Sequence, residues 1–245
     1  MTERPVVADD HRASIRHFLD ALRRRAHALR TVVHVGAHHG EEVDEYRRHG
    51  AERIVLVEAN PDAAAHLDAR FGADADITVV HAAATEAPGP VRLQRHVNRR
   101  GEAESASLLA MKRLGEIVPT LSTRDEVTVP GTPLDALLDD AGVAPEDLGL
   151  LTIDVQGGEL MVLRGGPRAL RSAAAVLCEV QLIDLYDGAP REEDIDALLT
   201  ACGLAPVDAL YYELYEGDRR FPAWGDRLYV RVTPEATAPR GRAAT

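Results

Sequence analysis

The sequence predicts an α/β fold built on a parallel sheet, and two observations lead to this prediction. After residue 30, short apolar strands alternate with segments of helical length, which is typical of parallel strands joined by right-handed crossovers. In addition, three predicted strands end in acidic side chains, Glu58, Asp154 and Glu179. Because ligands bind outside the carboxyl ends of parallel strands, these acids predict a polar site at one edge of the sheet.

The predicted elements follow one another at short intervals. Residues 10–29 form an amphipathic helix, with apolar residues at helical spacing and arginines on the other face. The predicted strands cover residues 31–36, 53–58, 77–82, 91–97, 127–129, 148–154 and 175–180, and an antiparallel hairpin of residues 205–215 and 227–232 closes the sheet. The predicted helices cover residues 40–49, 61–71, 133–140, 158–172 and 192–202.

The domain organisation follows from where this rhythm holds and where it breaks. Residues 1–30 are an N-terminal helix with a loose start, residues 31–233 are one domain, and the tail, residues 234–245, is predicted to be disordered. Residues 98–126 are polar and broken by glycine and proline, with no clean periodicity. Because a long insertion in a compact domain is usually functional or disordered, this segment is either a substrate-facing lid or a mobile surface loop.

The composition bounds the class of protein. Of 245 residues, 45% are apolar and 28% charged, which is ordinary for a soluble globular protein. The net charge of -12 argues against nucleic acid or an anionic membrane as the main partner. Cys178 and Cys202 give neither a disulfide framework nor a zinc spacing. With no signal peptide pattern and no long apolar stretch, we expect a cytoplasmic protein whose oligomeric state is open.

The first strand leads into a glycine-containing turn that predicts a nucleoside cofactor. The turn runs from Gly36 to Gly40, and the second strand ends at Glu58, 22 residues after Gly36. Glycine lets the backbone approach a ligand closely, and an acid at this distance is how open α/β sheets hold an adenine ribose. The G-x-G-x-x-G pattern is missing, which argues against a dehydrogenase or a flavoprotein, and no Walker loop is present.

Four spaced stretches occur in order: HVGAHHGEEVDEYRRHGAERIVLVEANPD, TPLDALL, LLTIDVQGGELMVLRGG and LCEVQ. In these stretches the chain resembles the FkbM family of S-adenosylmethionine-dependent methyltransferases, over about residues 30 to 232. The resemblance implies the class I methyltransferase fold, which is Rossmann-like, with a mostly parallel seven-stranded sheet, an antiparallel last strand and helices on both faces. It also implies methyl transfer to a hydroxyl of a sugar or another natural-product scaffold.

The resemblance also implies roles for individual residues. Those implied to contact the cofactor are Gly36, Ala37, His38 and Gly40 beside the methionine part, Glu58 at the ribose hydroxyls, Ala59 and Asn60 beside the adenosine, Ala83 and Ala84 against adenine, and Asp154 facing the methyl group. Ser105 and Ser107 resemble a serine element of the family's insertion. Departures from the family occur at His34, at His38 or His39, at Thr152 and at Gln156, and they leave the individual contacts open.

A hydroxyl acceptor must lose its proton during the transfer, so a positioned base or a metal is needed. The candidates for catalysis are Asp154, Glu179 and the histidines His38 and His39, with Asp154 preferred as base or substrate anchor and Glu179 as a second polar contact. Candidates for lining the acceptor pocket are Ser105, Ser107, Gln181, Asp184, Tyr186 and the pair Tyr211 and Tyr212.

The cluster of His34, His38 and His39 raises the question of a metal. His34 is expected to be a buried, hydrogen-bonded strand residue, and the turn with the other two cannot easily hold fixed geometry, so one of them is expected to face cofactor or substrate. A divalent ion held by Asp154 and Glu179, together with Asp184, is an alternative, but no metal is predicted. The competing functions are an N-methyltransferase on the same fold, a nicotinamide-dependent oxidoreductase and a silent cofactor-binding protein.

Overall fold

The computed structural model describes residues 11–101, 103–216 and 218–232. Its strands are β1 (Thr31–Val35), β2 (Arg53–Glu58), β3 (Ile77–His81), β4 (Ala83–Thr85), β5 (Gly89–Val97), β6 (Ala103–Ser107), β7 (Ser122–Pro133), β8 (Leu148–Ile153), β9 (Ala175–Gln181), β10 (Leu204–Glu216) and β11 (Arg219–Arg231). Its helices are α1 (His11–Arg24), α2 (Val43–Arg48), α3 (Pro61–Phe71), α4 (Arg113–Ile117), α5 (Leu134–Asp140), α6 (Glu159–Arg164), α7 (Pro167–Ser172) and α8 (Glu192–Ala201). The loose start and the tail predicted to be disordered lie outside the described residues.

A seven-stranded sheet in the order β10-β11-β9-β8-β1-β2-β3 forms the centre of the molecule. Strands β9, β8, β1, β2 and β3 pair in parallel, whereas the last strand, β11, is antiparallel to both β10 and β9. This confirms the predicted parallel sheet with an antiparallel last strand. The chain moves outward from β1 to β3 and then restarts beside β1 with β8, so the strand order reverses between β1 and β8. Such a reversal opens a crevice at the carboxyl ends of the two strands, where open sheets bind ligands.

The central strands are apolar because helices cover both faces of the sheet. Every residue of β1, β8 and β9 is buried. Successive side chains of a strand point to opposite faces, and β1 shows this directly. Val33 packs in a core with the residues of α5, α6 and α7, whereas Val32 packs in a second core with Phe18 of α1 and Tyr46 of α2. The sheet therefore holds its polar strand ends between two rigid layers.

A second sheet, in the order β4-β7-β5-β6, covers part of the segment that lacked periodicity in the sequence. Strand β5 pairs antiparallel with β7 and with β6. Strand β6 and the start of β7 fall within residues 98–126, so this segment is partly regular structure and not simply a loop. The sequence predicted only residues 127–129 of β7, because only Val129 and Gly131 of its residues are buried, which leaves a strand with little apolar alternation.

The helix predicted over residues 158–172 is two helices, α6 and α7, and the prediction of one helix was wrong. The break falls at Gly165 and Gly166, and Pro167 occupies the first turn of α7, where its missing N–H costs nothing. A Cβ atom on Gly165 would lie 2.1 Å from the carbonyl oxygen of Thr85. The glycine is needed because β4 packs directly against this turn. No helix in the described ranges is long and apolar enough to cross a membrane.

Candidate active site

A cavity of about 460 Å³ opens at the carboxyl ends of β1, β2 and β8, where the strand order reverses. The second sheet contributes Leu93 of β5 and Ser105 of β6 to its wall. Of the residues implied to contact a cofactor, the cavity is lined by Gly36, Ala37, His38, Glu58, Ala59, Asn60, Ala83, Ala84 and Asp154. Three separate strand ends and the second sheet thus surround one chamber.

The glycine turn after β1 brings the backbone against the end of β8. The backbone N–H groups of Gly36 and Ala37 both donate to the carbonyl of Val57, at 2.9 and 3.2 Å. Gly36 has φ +86°, and a Cβ atom on it would lie 1.7 Å from the carbonyl oxygen of Asp154. Only glycine fits this close approach. Gly40, also implied to contact the cofactor, does not line the cavity, because it packs against Phe71 of α3.

Glu58 ends β2 as a buried carboxylate held by two loops. Its Oε2 accepts the backbone N–H of His38 at 2.8 Å, and its Oε1 accepts that of Asn60 at 2.7 Å. Burial raises the pKa of Glu58, and these N–H donors and nearby His38 partly oppose the rise. The Asn60 side chain accepts the N–H of Asp62 and caps α3, which fixes the second loop. Glu58 therefore has a fixed position at the cavity wall.

Gln156 connects the two acids at the ends of β8 and β9. Its Nε2 donates to Oδ1 of Asp154 at 2.7 Å and lies 3.5 Å from Oε1 of Glu179. The Tyr186 hydroxyl donates to Gln156 Oε1 at 2.8 Å, and the Ser107 hydroxyl donates to its backbone carbonyl at 2.7 Å. The amide orientation is thus set by Tyr186. Ser107 and Tyr186, predicted to bind substrate, do not line the cavity and instead hold Gln156.

The two buried glutamates behind the cavity, Glu179 and Glu159, both have raised pKa values, but to different extents. Burial, followed by the negative charges of Asp154 and Glu159, raises the pKa of Glu179 well above its usual range. Burial also raises the pKa of Glu159 to about 7, against two backbone N–H donors, Gly157 and Val155. At neutral pH Glu179 therefore favours the protonated carboxyl, whereas Glu159 is divided about equally between its protonated and ionised forms.

The raised pKa of Glu159 predicts a stability that falls with rising pH. Its folded pKa of about 7 lies above the ordinary glutamate value of 4.5, so its stabilising contribution is complete below pH 4.5 and is lost as the pH rises through about 7. Glu159→Gln keeps the oxygen that accepts both N–H groups but cannot ionise. Between pH 5 and 8 we expect the free energy of unfolding of this variant to gain on the wild type by on the order of 2 kcal/mol.

Urea unfolding at several pH values measures this difference. The exposed acid Glu52 provides the control, since Glu52→Gln removes a carboxylate without changing a buried one. A constant difference between Glu159→Gln and the wild type across this range would show that Glu159 is ionised throughout.

The remaining predicted site residues lie around the cavity and not on its wall. Glu179 faces a smaller cavity of about 20 Å³ that it shares with Asp154 and Asp226, room for about one water molecule. Gln181 is buried at the end of β9, and its amide has no hydrogen-bond partner within the described chain. The His39 ring stacks on that of His38, with 3.9 Å between centroids. As catalytic or substrate contacts, these residues stay predictions.

The other candidates are occupied elsewhere. The Tyr211 hydroxyl donates to Glu192 and that of Tyr212 to Asp226, and neither tyrosine lines the cavity. Asp184 pairs with Arg191 at 2.5 Å and with Lys112 at 3.4 Å. Asp184 thus pairs with cations and not with the acids at the ends of β8 and β9, which disfavours a metal held by all three.

The structure also places residues at the cavity that the sequence argument did not select. His34 is buried, as predicted, and its Nδ1 lies 3.2 Å from the Tyr46 hydroxyl and 3.7 Å from Glu42, yet it also lines the cavity. Glu41 and Glu42 line the wall beside it. Their position directly after the glycine turn is the feature of the sequence from which their place on the cavity wall could have been predicted.

The strand order, the antiparallel last strand and the acid at the end of β2 beside the glycine turn define the class I methyltransferase fold. The chain belongs to the FkbM methyltransferase family, because the family model described as Methyltransferase FkbM domain matches residues 34–204. No curated protein matches the chain.

Solved structures that are similar to this chain include three methyltransferases. The FkbM methyltransferase from Methylobacillus flagellatus KT is 16% identical, with a TM-score of 0.50, and the match covers 82% of this chain and 43% of that one. This chain thus spans less than half of that protein. The precorrin-6y C5,15-methyltransferase from Geobacter metallireducens GS-15 is 13% identical, with a TM-score of 0.48, and the match covers 94% of this chain and 95% of that one. The N-methyltransferase NodS from Bradyrhizobium japonicum WM9 is 12% identical, with a TM-score of 0.47, and the match covers 92% of this chain and 100% of that one.

Proposed function

We propose that this protein is an S-adenosylmethionine-dependent O-methyltransferase that acts on a hydroxyl of a sugar or another small natural-product scaffold. The observation that carries the proposal is the buried Glu58 carboxylate, which is fixed at the cavity wall by two backbone N–H groups beside the glycine turn. Such a carboxylate can accept hydrogen bonds from the two ribose hydroxyls. The cavity volume of about 460 Å³ lies within the range of small-molecule sites, which is about 300–1,000 Å³.

The charge of the cavity fits a sulfonium cofactor better than a dinucleotide. Its acidic lining residues are Glu41, Glu42, Glu58 and Asp154, and neither arginine nor lysine is among the described residues that line it. Acidic walls favour a cation and disfavour the pyrophosphate of a nicotinamide cofactor. This agrees with the missing G-x-G-x-x-G turn and argues against the oxidoreductase alternative.

In the proposed mechanism, bound S-adenosylmethionine supplies an activated methyl group. The cavity wall would hold the acceptor beside the cofactor, and this positioning would provide much of the rate. The cofactor would donate its methyl group to the acceptor and leave as S-adenosylhomocysteine, and the hydroxyl proton would pass to Asp154. Gln156 Nε2 donates to Oδ1 of Asp154, so Oδ2, which does not receive this hydrogen bond, is the preferred acceptor of the proton. Glu179, which favours its protonated form, is a poor proton acceptor here.

The choice of a hydroxyl acceptor rests on the family resemblance and on the need for a base. An amine acceptor on the same fold is the second candidate, because fold and cofactor do not fix the acceptor. A small molecule is favoured over nucleic acid by the net charge of -12, since a protein that binds phosphates needs a cationic surface.

Calorimetric titration with S-adenosylhomocysteine and with NAD tests the cofactor. We expect one molecule of S-adenosylhomocysteine per chain with a micromolar Kd, and no heat from NAD. Labelled methyl donor, offered with panels of hydroxylated compounds, amines and RNA, then tests the acceptor, and we expect label in the hydroxylated panel. Binding of NAD without S-adenosylhomocysteine would refute the methyltransferase, and label confined to amines or RNA would refute the acceptor class.

A further inference from the structure

Two histidines and a glutamate converge at the rim of the cavity. The potential ligand atoms of His38, His39 and Glu41 all lie within 4.8 Å of one another. The Nδ1 atoms of His38 and His39 lie 3.3 and 3.9 Å from Oε1 of Glu41. Across residues 11–101, 103–216 and 218–232, this is the one group of three or more histidine, cysteine or acidic side chains with such spacing.

We propose that His38, His39 and Glu41 form a binding site for Zn²⁺. Two imidazole nitrogens and one carboxylate oxygen are a zinc donor set that leaves a fourth, open position, whereas Mg²⁺ and Ca²⁺ prefer oxygen ligands alone. With bonds of about 2.0–2.2 Å, tetrahedral donors stand about 3.4 Å apart. The pair His38 and Glu41 already has that spacing, the distance from His39 to Glu41 is about half an ångström longer, and all three ligand atoms lie within 4.8 Å of one another.

The turn that carries these ligands is fixed by hydrogen bonds, contrary to the expectation from the sequence. The N–H of Gly40 donates to the carbonyl of Ala37 at 2.7 Å, and the N–H of His38 donates to Glu58 at 2.8 Å. Arg70 of α3 donates to the carbonyl of His39 at 2.9 Å. The backbone at both histidines is therefore held before a metal arrives, and binding there costs mainly the ordering of side-chain rotamers.

The surroundings favour a cation at this position. Glu41 lies on the cavity wall beside two further carboxyl side chains, Glu42 and Glu58, and neither arginine nor lysine is among the described residues that line this wall. The His39 ring also packs against that of His66 from α3, with 4.4 Å between centroids, which restricts its rotation. His38 lines the cavity, and its backbone N–H donates to Glu58, the proposed ribose ligand. A metal on the His38 side chain would therefore lie next to the proposed ribose site.

The test uses the full chain, freed of metal by a chelator, and Zn²⁺ alone as the probe. Calorimetry is expected to show one Zn²⁺ per chain, and Co²⁺ is expected to give the strong visible absorption of a four-coordinate ion. His39→Ala and Glu41→Gln should each weaken Zn²⁺ binding by at least about tenfold, since even the outer-shell partners of a metal ligand are worth about that much. His17→Ala is the control, because that exposed histidine pairs with Asp208 of β10, at the opposite edge of the sheet.

Undiminished Zn²⁺ binding in His39→Ala would overturn the site, and so would the weak absorption of six-coordinate Co²⁺ in the wild type. Circular dichroism of both variants confirms that they are folded. The same metal-free protein is titrated with S-adenosylhomocysteine. Loss of that binding would count against the proposed methyltransferase function, whereas loss of Zn²⁺ binding alone would count only against the metal site.

Discussion

Replacing Glu58 by glutamine is expected to weaken the binding of S-adenosylhomocysteine by about 10- to 100-fold, because hydrogen bonds to a charged group are worth about 1.5–3 kcal/mol. An ionised carboxylate has about four acceptor positions. The N–H groups of His38 and Asn60 use one on each oxygen, which leaves one on each for the two ribose hydroxyls. The carboxylate is thus already shaped for a vicinal diol.

Glutamine keeps the size of this side chain but replaces one acceptor oxygen with a donor. That NH₂ group would face either the N–H of His38 or the N–H of Asn60, so one buried donor would lose its partner. We therefore also expect a lower melting temperature, and binding must be compared where both proteins are folded. Asp68→Asn is the matched control, since this exposed acid of α3 pairs with His81 and does not line the cavity. Equal affinity of Glu58→Gln and wild type for S-adenosylhomocysteine would show that Glu58 does not hold the ribose.

Those parts of the fold that depend on local pattern could be predicted from the sequence. Strands β1, β8 and β9 are apolar throughout because both faces are covered, and their continuous runs predicted the parallel sheet. The acids at the strand ends predicted the edge at which the cavity lies. The position of Glu58 could be predicted in this way because it depends only on one strand and on the turn that precedes that strand.

Features that depend on contacts between distant segments could not be predicted. Helices α6 and α7 separate because Gly165 meets the carbonyl of Thr85, a residue about eighty positions earlier in the chain. Strand β6 was missed, and β7 was predicted only over residues 127–129, because a small sheet with few buried residues has little apolar alternation. Ser107 and Tyr186 were predicted as substrate contacts, and no pattern in the sequence shows that their hydroxyls donate to Gln156.

The contrast between Asp154 and Glu179 follows from this arrangement of Gln156. Tyr186 donates to the Gln156 oxygen, so the amide nitrogen must point toward the two acids. An amide N–H stabilises an ionised carboxylate, and Asp154 receives the shorter bond, 2.7 Å against 3.5 Å for Glu179. Burial meanwhile favours the protonated form of Glu179. The geometry therefore supports the preference for Asp154 over Glu179 as the proposed base, which the sequence analysis had already expressed.

With an acceptor identified, Asp154→Asn is expected to lower turnover by about 100- to 10,000-fold, the usual worth of a general base. The asparagine oxygen would accept from Gln156 Nε2, which leaves its NH₂ group where the proton must go. Binding of S-adenosylhomocysteine should change little. Glu179→Gln is the matched variant: because Glu179 favours the protonated form, a neutral amide replaces it at a cost of less than about tenfold in turnover. Rapid-quench measurement of a single turnover compares the two. A larger loss of turnover in Glu179→Gln than in Asp154→Asn would show that Glu179, and not Asp154, is the base.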